Sequence, residues 1–85
     1  MRAKQSYLLL DRIQIVRRKI EEGYFPSITD LIETVLYELG IKVSVNTIYR
    51  DLDFMKDRYG INIKYDSVMK GYYIIEKKAE LWEQR

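Results

Sequence analysis

Apolar residues recur with helical spacing in three successive segments, and the first runs from about Ser6 to Glu22. Its apolar positions are separated by four and three residues, which places them on one face of a helix. These positions are Leu9, Ile13, Val16 and Ile20. The basic run from Arg17 to Lys19 is typical of the solvated side of a helix, although it could also form a phosphate-binding patch. Gly23 predicts the end of the helix.

A second helix is predicted after a short connector at residues 24–26, where Pro26 should hold the preceding residue in extended geometry. Ser27 is followed three positions later by Asp30, a loose form of the capping box that opens a helix. The apolar face contains Ile28, Leu31, Ile32, Val35, Leu36 and Leu39. Gly40 predicts the end of this helix.

A third helix should begin at Ser44, a favoured N-cap residue, after a short turn at residues 41–43. The positions expected to face the core are Val45, Ile48, Leu52 and Met55. The opposite face carries polar and aromatic side chains, namely Asn46, Thr47, Tyr49, Arg50 and Asp53. Gly60 predicts the end of the helix.

After Gly60 the hydrophobic period changes from helical to alternating, which indicates a β-strand. Ile61, Ile63 and Tyr65 alternate with Asn62, Lys64 and Asp66. A turn at residues 67–71 and a return strand at 72–75 complete a hairpin, which must pack on the third helix because an isolated hairpin is marginally stable. The predicted fold class is therefore α+β, with three helices followed by a two-stranded β-hairpin.

Length and composition favour one folded domain. The chain has 85 residues, of which 47% are apolar and 33% are charged, and a formal net charge of +2. This charge permits a nucleic-acid partner without requiring one. We expect the domain to span residues 1–76, with residues 77–85 forming a charged segment that is either helical or a linker to a further domain. Trp82 would then pack on the domain or lead into a following domain or partner.

Several function classes are disfavoured by the residues that are missing. The sequence has no histidine and no cysteine, so the usual general base, the thiolate nucleophile and the soft metal ligands are absent. We interpret Asp53 and Asp57, which lie beside Arg50 and Lys56, as partners in helix-surface ion pairs. We expect no enzymatic activity, no cofactor and no metal site. No apolar run approaches the ~20 residues of a membrane span, so we expect a cytoplasmic protein.

The most informative feature is a helix, a tight turn and a second helix whose N-terminal half is polar. In a helix-turn-helix the second helix enters the major groove of DNA and its N-terminal residues contact base edges. Asn46 is suited to adenine and Arg50 to guanine, while hydroxyl side chains suit phosphate or a thymine methyl. Each residue also has a plainer interpretation. Ser44 could serve only as a cap, and Arg50 could pair with Asp53 or Asp57.

One motif resembles a known family. The stretch Thr47-Ile48-Tyr49-Arg50-Asp51-Leu52, followed by a hairpin with Gly71-Tyr72-Tyr73, is similar to the N-terminal winged helix-turn-helix domain of WYL-domain transcriptional regulators, and also to the DeoR-type helix-turn-helix. The resemblance extends from Leu9 to Ile75. It implies sequence-specific binding to double-stranded DNA, with residues 44–50 in the major groove and the loop at 67–70 as a wing.

The sequence departs from the family pattern at two places that affect the expected DNA binding. Val45 and Asn46 stand where basic residues are frequent in the family, which predicts weaker and less salt-sensitive binding. The turn at 40–44 is also longer than the family's usual turn, which changes the expected angle of the recognition helix. In the family a sensory WYL domain follows the winged helix. The resemblance therefore implies either the DNA-binding part of a protein with such an effector domain as partner, or a short stand-alone regulator.

The combined prediction is a DNA-binding module of a transcription regulator that acts as a homodimer, with a recognition helix at about residues 45–58. The candidate DNA-binding residues are Lys42, Ser44, Asn46, Thr47, Tyr49, Arg50, Lys64 and Lys70. The alternative is a winged-helix module for protein–protein contact. The modest charge, the eight tyrosines and the Leu81-Trp82 pair favour that alternative.

Overall fold

The second and third helices begin and end at residues whose local chemistry suits a cap. In a computed structural model, which describes residues 2–75 and the side chains of residues 8–75, the chain forms three helices and a hairpin. The elements are α1 (Arg2–Glu21), α2 (Ile28–Leu39), α3 (Val45–Tyr59), β1 (Asn62–Asp66) and β2 (Gly71–Ile75). The predicted α+β fold class is confirmed, and the layout is consistent with a winged helix. Trp82 and the rest of segment 77–85 lie outside the described residues.

The predicted caps of α2 and α3 are confirmed. The Ser27 hydroxyl accepts a hydrogen bond from the Asp30 amide at 3.1 Å, and the Asp30 carboxylate accepts one from the Ser27 amide at 3.0 Å. Ser44 caps α3 by accepting from the amide of Thr47 at 3.1 Å. Both helices end at a glycine in the left-handed region, Gly40 and Gly60, which satisfies carbonyls of the last turn.

One hydrophobic core joins all three helices to the hairpin. Its buried side chains are Ile13, Ile15, Val16, Ile20, Leu31, Val35, Ile48, Leu52, Met55 and Ile63. Ile15 lies outside the predicted stripe of α1, and it is buried because α1 contacts both α2 and β2. The prediction for Val45 is wrong, since this side chain is 45% exposed. Val45 is the first residue of α3, and the first turn of that helix extends past the edge of the core.

An ion pair between a half-buried arginine and a buried aspartate fixes α3 against α1. The Arg12 guanidinium donates from Nε to Asp51 Oδ2 at 2.5 Å and from Nη2 to Asp51 Oδ1 at 2.9 Å. Asp51 is only 2% exposed. The hydrogen bond with Asp51 raises the pKa of the Arg12 guanidinium above its ordinary value. Asp51 is therefore a structural residue of the helix packing.

The two strands pair antiparallel in a register that places Tyr65 opposite Tyr72 and Lys64 opposite Tyr73. The loop is shorter than predicted and comprises residues 67–70, because Gly71 already pairs with Asp66. Side chains alternate along each strand. Since Ile63 is buried, Tyr65 and Tyr72 lie on the inner face of the hairpin, and Lys64 lies on the outer face.

The connector between α1 and α2 runs along the second edge of β2. The Tyr72 amide donates to the Pro26 carbonyl at 2.9 Å, and the rings of Phe25 and Tyr73 lie 5.6 Å apart. Phe25 has a φ of 53°, in the left-handed region, which contradicts the extended geometry predicted for a residue before proline. The tertiary contacts with β2 override this local preference. Among the described residues, no helix is both long and apolar enough to cross a membrane.

Candidate nucleic-acid interface

The N-terminal half of α3 presents polar side chains to solvent. Asn46, Tyr49 and Arg50 are exposed, and Thr47 is half-buried. Ile48 and Leu52 turn the other side of the helix into the core. The structure therefore brings together Asn46, Tyr49 and Arg50 on one accessible surface, as predicted.

Two hydroxyl groups at the start of α3 form a local network. The Ser44 and Thr47 hydroxyls lie 3.1 Å apart, and Ser44 also accepts from the Thr47 amide. A hydrogen bond between two hydroxyls uses one of their two hydrogens. The remaining hydrogen can be donated to a group outside the protein. Capping by Ser44 and a contact with a ligand are thus compatible.

Among the described side chains, no carboxylate pairs with Arg50. Within residues 8–75 the ion pairs join Arg12 to Asp51, Arg17 to Glu21, Arg18 to Glu38 and Lys19 to Glu22. The predicted surface pairs of Asp53 and Asp57 with Arg50 and Lys56 are not formed. In contrast, every cation of the run 17–19 has a carboxylate partner. The guanidinium of Arg50 is therefore better placed than that run to bind an external acceptor.

The other three cations that were predicted to bind DNA lie in different parts of the molecule. Lys42 is exposed in the turn before α3, and Lys70 is exposed at the end of the hairpin loop. Lys64 is exposed on the outer face of the hairpin, away from the buried Ile63. The structure does not group Lys64 with the α3 side chains. Any contact that Lys64 makes must come from the outer side of the hairpin.

A cluster of three tyrosines, which the sequence analysis did not identify, connects α3 to the hairpin. Tyr49, Tyr65 and Tyr72 line a groove of about 450 Å³ together with Ser27, Ile28 and Thr29 at the start of α2. The rings of Tyr65 and Tyr72 pack edge to face at 5.1 Å. Tyr49 lies on the opposite wall of this groove, on α3. The sequence alone does not give the register of the hairpin, so it could not show that Tyr65 lies opposite Tyr72.

The tyrosine cluster should make stability depend on pH in alkaline solution. Burial, followed by the proximity of Tyr49 and Tyr65, raises the pKa of Tyr72. A raised pKa in the folded state means that the neutral phenol stabilises the fold, and this contribution is lost as the pH rises above about 10. We expect Tyr72→Phe to lose less stability between pH 9 and pH 11, two values that bracket this transition. Urea unfolding at both pH values measures the difference.

Tyr37→Phe is the matched control for this prediction, because the Tyr37 side chain is 89% exposed. That variant should retain the full alkaline loss of the parent protein. If Tyr72→Phe and Tyr37→Phe show the same pH dependence, Tyr72 does not contribute to it.

A second groove of the molecule has a different charge. A groove of about 480 Å³ between α1 and α2 is lined by charged and aromatic side chains. They include Glu22, Tyr24, Asp30, Glu33, Tyr37 and Glu38. The carboxylates outnumber the cations Arg18 and Lys19 in this lining, which makes the surface unfavourable for a polyanion. A nucleic acid is therefore better accommodated at α3 and the hairpin.

Comparisons of the chain with protein-family models, with curated proteins and with solved structures found no match.

Proposed function

We propose that this chain is a non-enzymatic, sequence-specific domain that binds double-stranded DNA for a cytoplasmic transcriptional regulator. The observation that carries the proposal is the surface of α3, where Arg50 is exposed without an ion-pair partner among the described residues, beside Asn46. Tyr49 lines one groove with Tyr65 and Tyr72, so the hairpin lies next to this surface. A polar helix flanked by a hairpin has the features that a major-groove reader requires.

In this proposal α3 lies in the major groove, which is about 12 Å wide and admits one helix. Arg50 donates two hydrogen bonds to a guanine, and Asn46 pairs with an adenine. Ser44, Thr47 and Tyr49 contact the sugar-phosphate backbone and set the register. Lys42 and Lys70 neutralise phosphates on either side.

The resemblance to the WYL-regulator winged helix supports the proposal. The residues of the motif that carries it have two roles, because some pack in the core and others are exposed. Ile48, Asp51 and Leu52 are buried and hold α3 in place, whereas Tyr49 and Arg50 are exposed. Part of the motif therefore reflects packing rather than DNA contact. By the same resemblance, we propose that two copies act on half-sites about one helical turn apart.

The proposal is tested by recording the amide spectrum of the isotopically labelled protein while a random-sequence DNA duplex is added at low salt. Shifts concentrated at residues 44–50 and 67–71 are the expected result. A spectrum that does not change, even with excess duplex, contradicts DNA binding. Shifts grouped around residues 17–38 would contradict the assigned surface.

Arg50→Ala should weaken binding to a duplex selected from a random library by about 1–3 kcal/mol, because a bidentate contact with one base is lost. The loss should be smaller on a scrambled duplex, since only phosphate contacts remain there. Fluorescence anisotropy on both duplexes measures the two affinities. Arg17→Ala, which removes a cation already paired with Glu21 on α1, is the control and should have little effect. An equal loss on both duplexes would assign Arg50 to a phosphate.

A protein-binding module is the second candidate function, and the α1–α2 groove favours it. Tyr24 and Tyr37 are among the most exposed large hydrophobic side chains of the described residues, and both line this groove. Exposed tyrosines are enriched at protein interfaces. Replacing both with serine should leave DNA binding unchanged if α3 is the functional surface.

A further inference from the structure

The tip of the hairpin exposes two apolar side chains. Val68 is 84% exposed and Met69 is 54% exposed, and both lie in the loop at residues 67–70. Within the described residues they contribute nothing to the core. Their position at the end of a projecting hairpin leaves them available for a partner.

The loop holds these side chains in a defined geometry. The Asp66 carboxylate accepts hydrogen bonds from the Val68 amide at 2.8 Å and from the Met69 amide at 2.9 Å. The Asp66 carbonyl accepts a third from the Lys70 amide at 2.7 Å, and Lys70 adopts a φ of 60°. A turn stabilised in this way loses little conformational entropy when it binds.

The same hydrogen bonds exclude one common role for a hairpin tip. A loop can bind phosphate through its backbone amides, but the amides of Val68, Met69 and Lys70 already donate to Asp66. The Asp66 carboxylate also places a negative charge beneath the tip. Lys70 is the sole cationic side chain of the loop at 67–70. The tip therefore offers two apolar side chains, Val68 and Met69, for contact with a partner. Lys70 beside them can make one ionic contact.

We infer that Val68 and Met69 form an apolar wedge that enters the minor groove and opens one base step, while Lys70 contacts a neighbouring phosphate. This inference rests on the proposed DNA-binding function. Apolar side chains that enter the minor groove unstack base steps and bend the duplex. Pyrimidine–purine steps deform most easily, so the wedge selects such a step without hydrogen bonding to its bases.

The reach of the hairpin agrees with this placement. Tyr65 packs with Tyr72, and both line one groove with Tyr49 of α3, so the base of the hairpin lies beside the recognition surface. Val68 lies three residues beyond Tyr65, in the loop that follows β1, so the tip extends at most roughly 10 Å past Tyr65. A helix in a groove about 12 Å wide would leave such a tip near the adjacent sugar-phosphate backbone and minor groove.

The test compares the parent protein, the double variant Val68→Ser with Met69→Ser, and Lys70→Ala on one selected duplex. Energy transfer between dyes at the duplex ends reports bending, and a fluorescent adenine analogue at the pyrimidine–purine step reports unstacking. We expect the parent protein to bend the duplex and increase the analogue's fluorescence. The double variant should lose both signals and bind roughly tenfold more weakly, with an unchanged salt dependence.

Lys70→Ala is the matched variant, since it changes the same loop but leaves the wedge in place. It should still bend the duplex, and the slope of log affinity against log salt should decrease by about one unit. Amide spectra establish that both variants are folded. A parent protein that binds without bending, or a double variant that bends normally, overturns the wedge while leaving DNA binding intact. A parent protein that binds no duplex overturns the proposed function as well.

Discussion

Replacement of Arg12 by methionine should destabilise the domain by about 3 kcal/mol or more, because it leaves the buried Asp51 carboxylate without a counter-charge. Asp51 is 2% exposed, and Arg12 supplies two hydrogen bonds to it. A domain of this size has a total stability of about 5–10 kcal/mol. The substitution should therefore remove a large part of the free energy of unfolding. Urea denaturation monitored by circular dichroism measures it.

The double variant Arg12→Met with Asp51→Leu shows whether the loss comes from the unpaired charge. Two apolar side chains can replace a buried ion pair at little cost, so the double variant should be more stable than Arg12→Met alone. Arg17→Met is the control, because it breaks an exposed pair with Glu21 and should cost less than about 0.5 kcal/mol. Strictly additive losses from the two single substitutions would contradict the assigned coupling.

Gly71→Ala should be the second strongly destabilising substitution, at about 3 kcal/mol. A Cβ atom at position 71 would overlap the backbone carbonyl group of Phe25. The connector cannot retreat without losing the hydrogen bond from Tyr72 to Pro26 and the packing of Phe25 on Tyr73. Thermal unfolding should show a melting temperature lower by roughly 10–20 °C.

Gly40→Ala separates this steric effect from the ordinary cost of replacing glycine. Gly40 has a φ of 71°, but a Cβ there would have no neighbour within 4 Å. Its substitution should cost only about 1 kcal/mol through backbone strain. If Gly71→Ala is no less stable than Gly40→Ala, the close approach of the connector to β2 does not restrict position 71 to glycine.

The elements of this fold could be predicted from the sequence because their signals are local. The spacing of apolar residues in α2 and α3 follows the helical period, and Ser27, Gly40, Ser44 and Gly60 mark ends whose hydrogen bonds involve residues three or four positions away. The change to alternating residues after Gly60 likewise predicts the hairpin. The exposed α3 surface with Asn46 and Arg50 follows from the same periodicity.

The other features of the structure depend on contacts between residues that are far apart in the sequence. Asp51 and Arg12 are separated by 39 positions, so no local pattern links them, although Asp51 does lie on the stripe between Ile48 and Met55. The same applies to Tyr49 and Tyr72, which line one groove only after the hairpin packs on α3. Val45 follows the apolar spacing of α3 but is exposed, because the periodicity defines a face and does not show how far the neighbouring elements extend along it.

By itself, the sequence determined the order of the helices and strands and the side chains that α3 presents. The tertiary structure alone decided that Arg50 is left without an acidic partner among the described residues and that Tyr49, Tyr65 and Tyr72 line one groove. The physical reason is that helix and strand periods depend on backbone geometry over a few residues. Charge pairing and burial depend on which distant surfaces pack together.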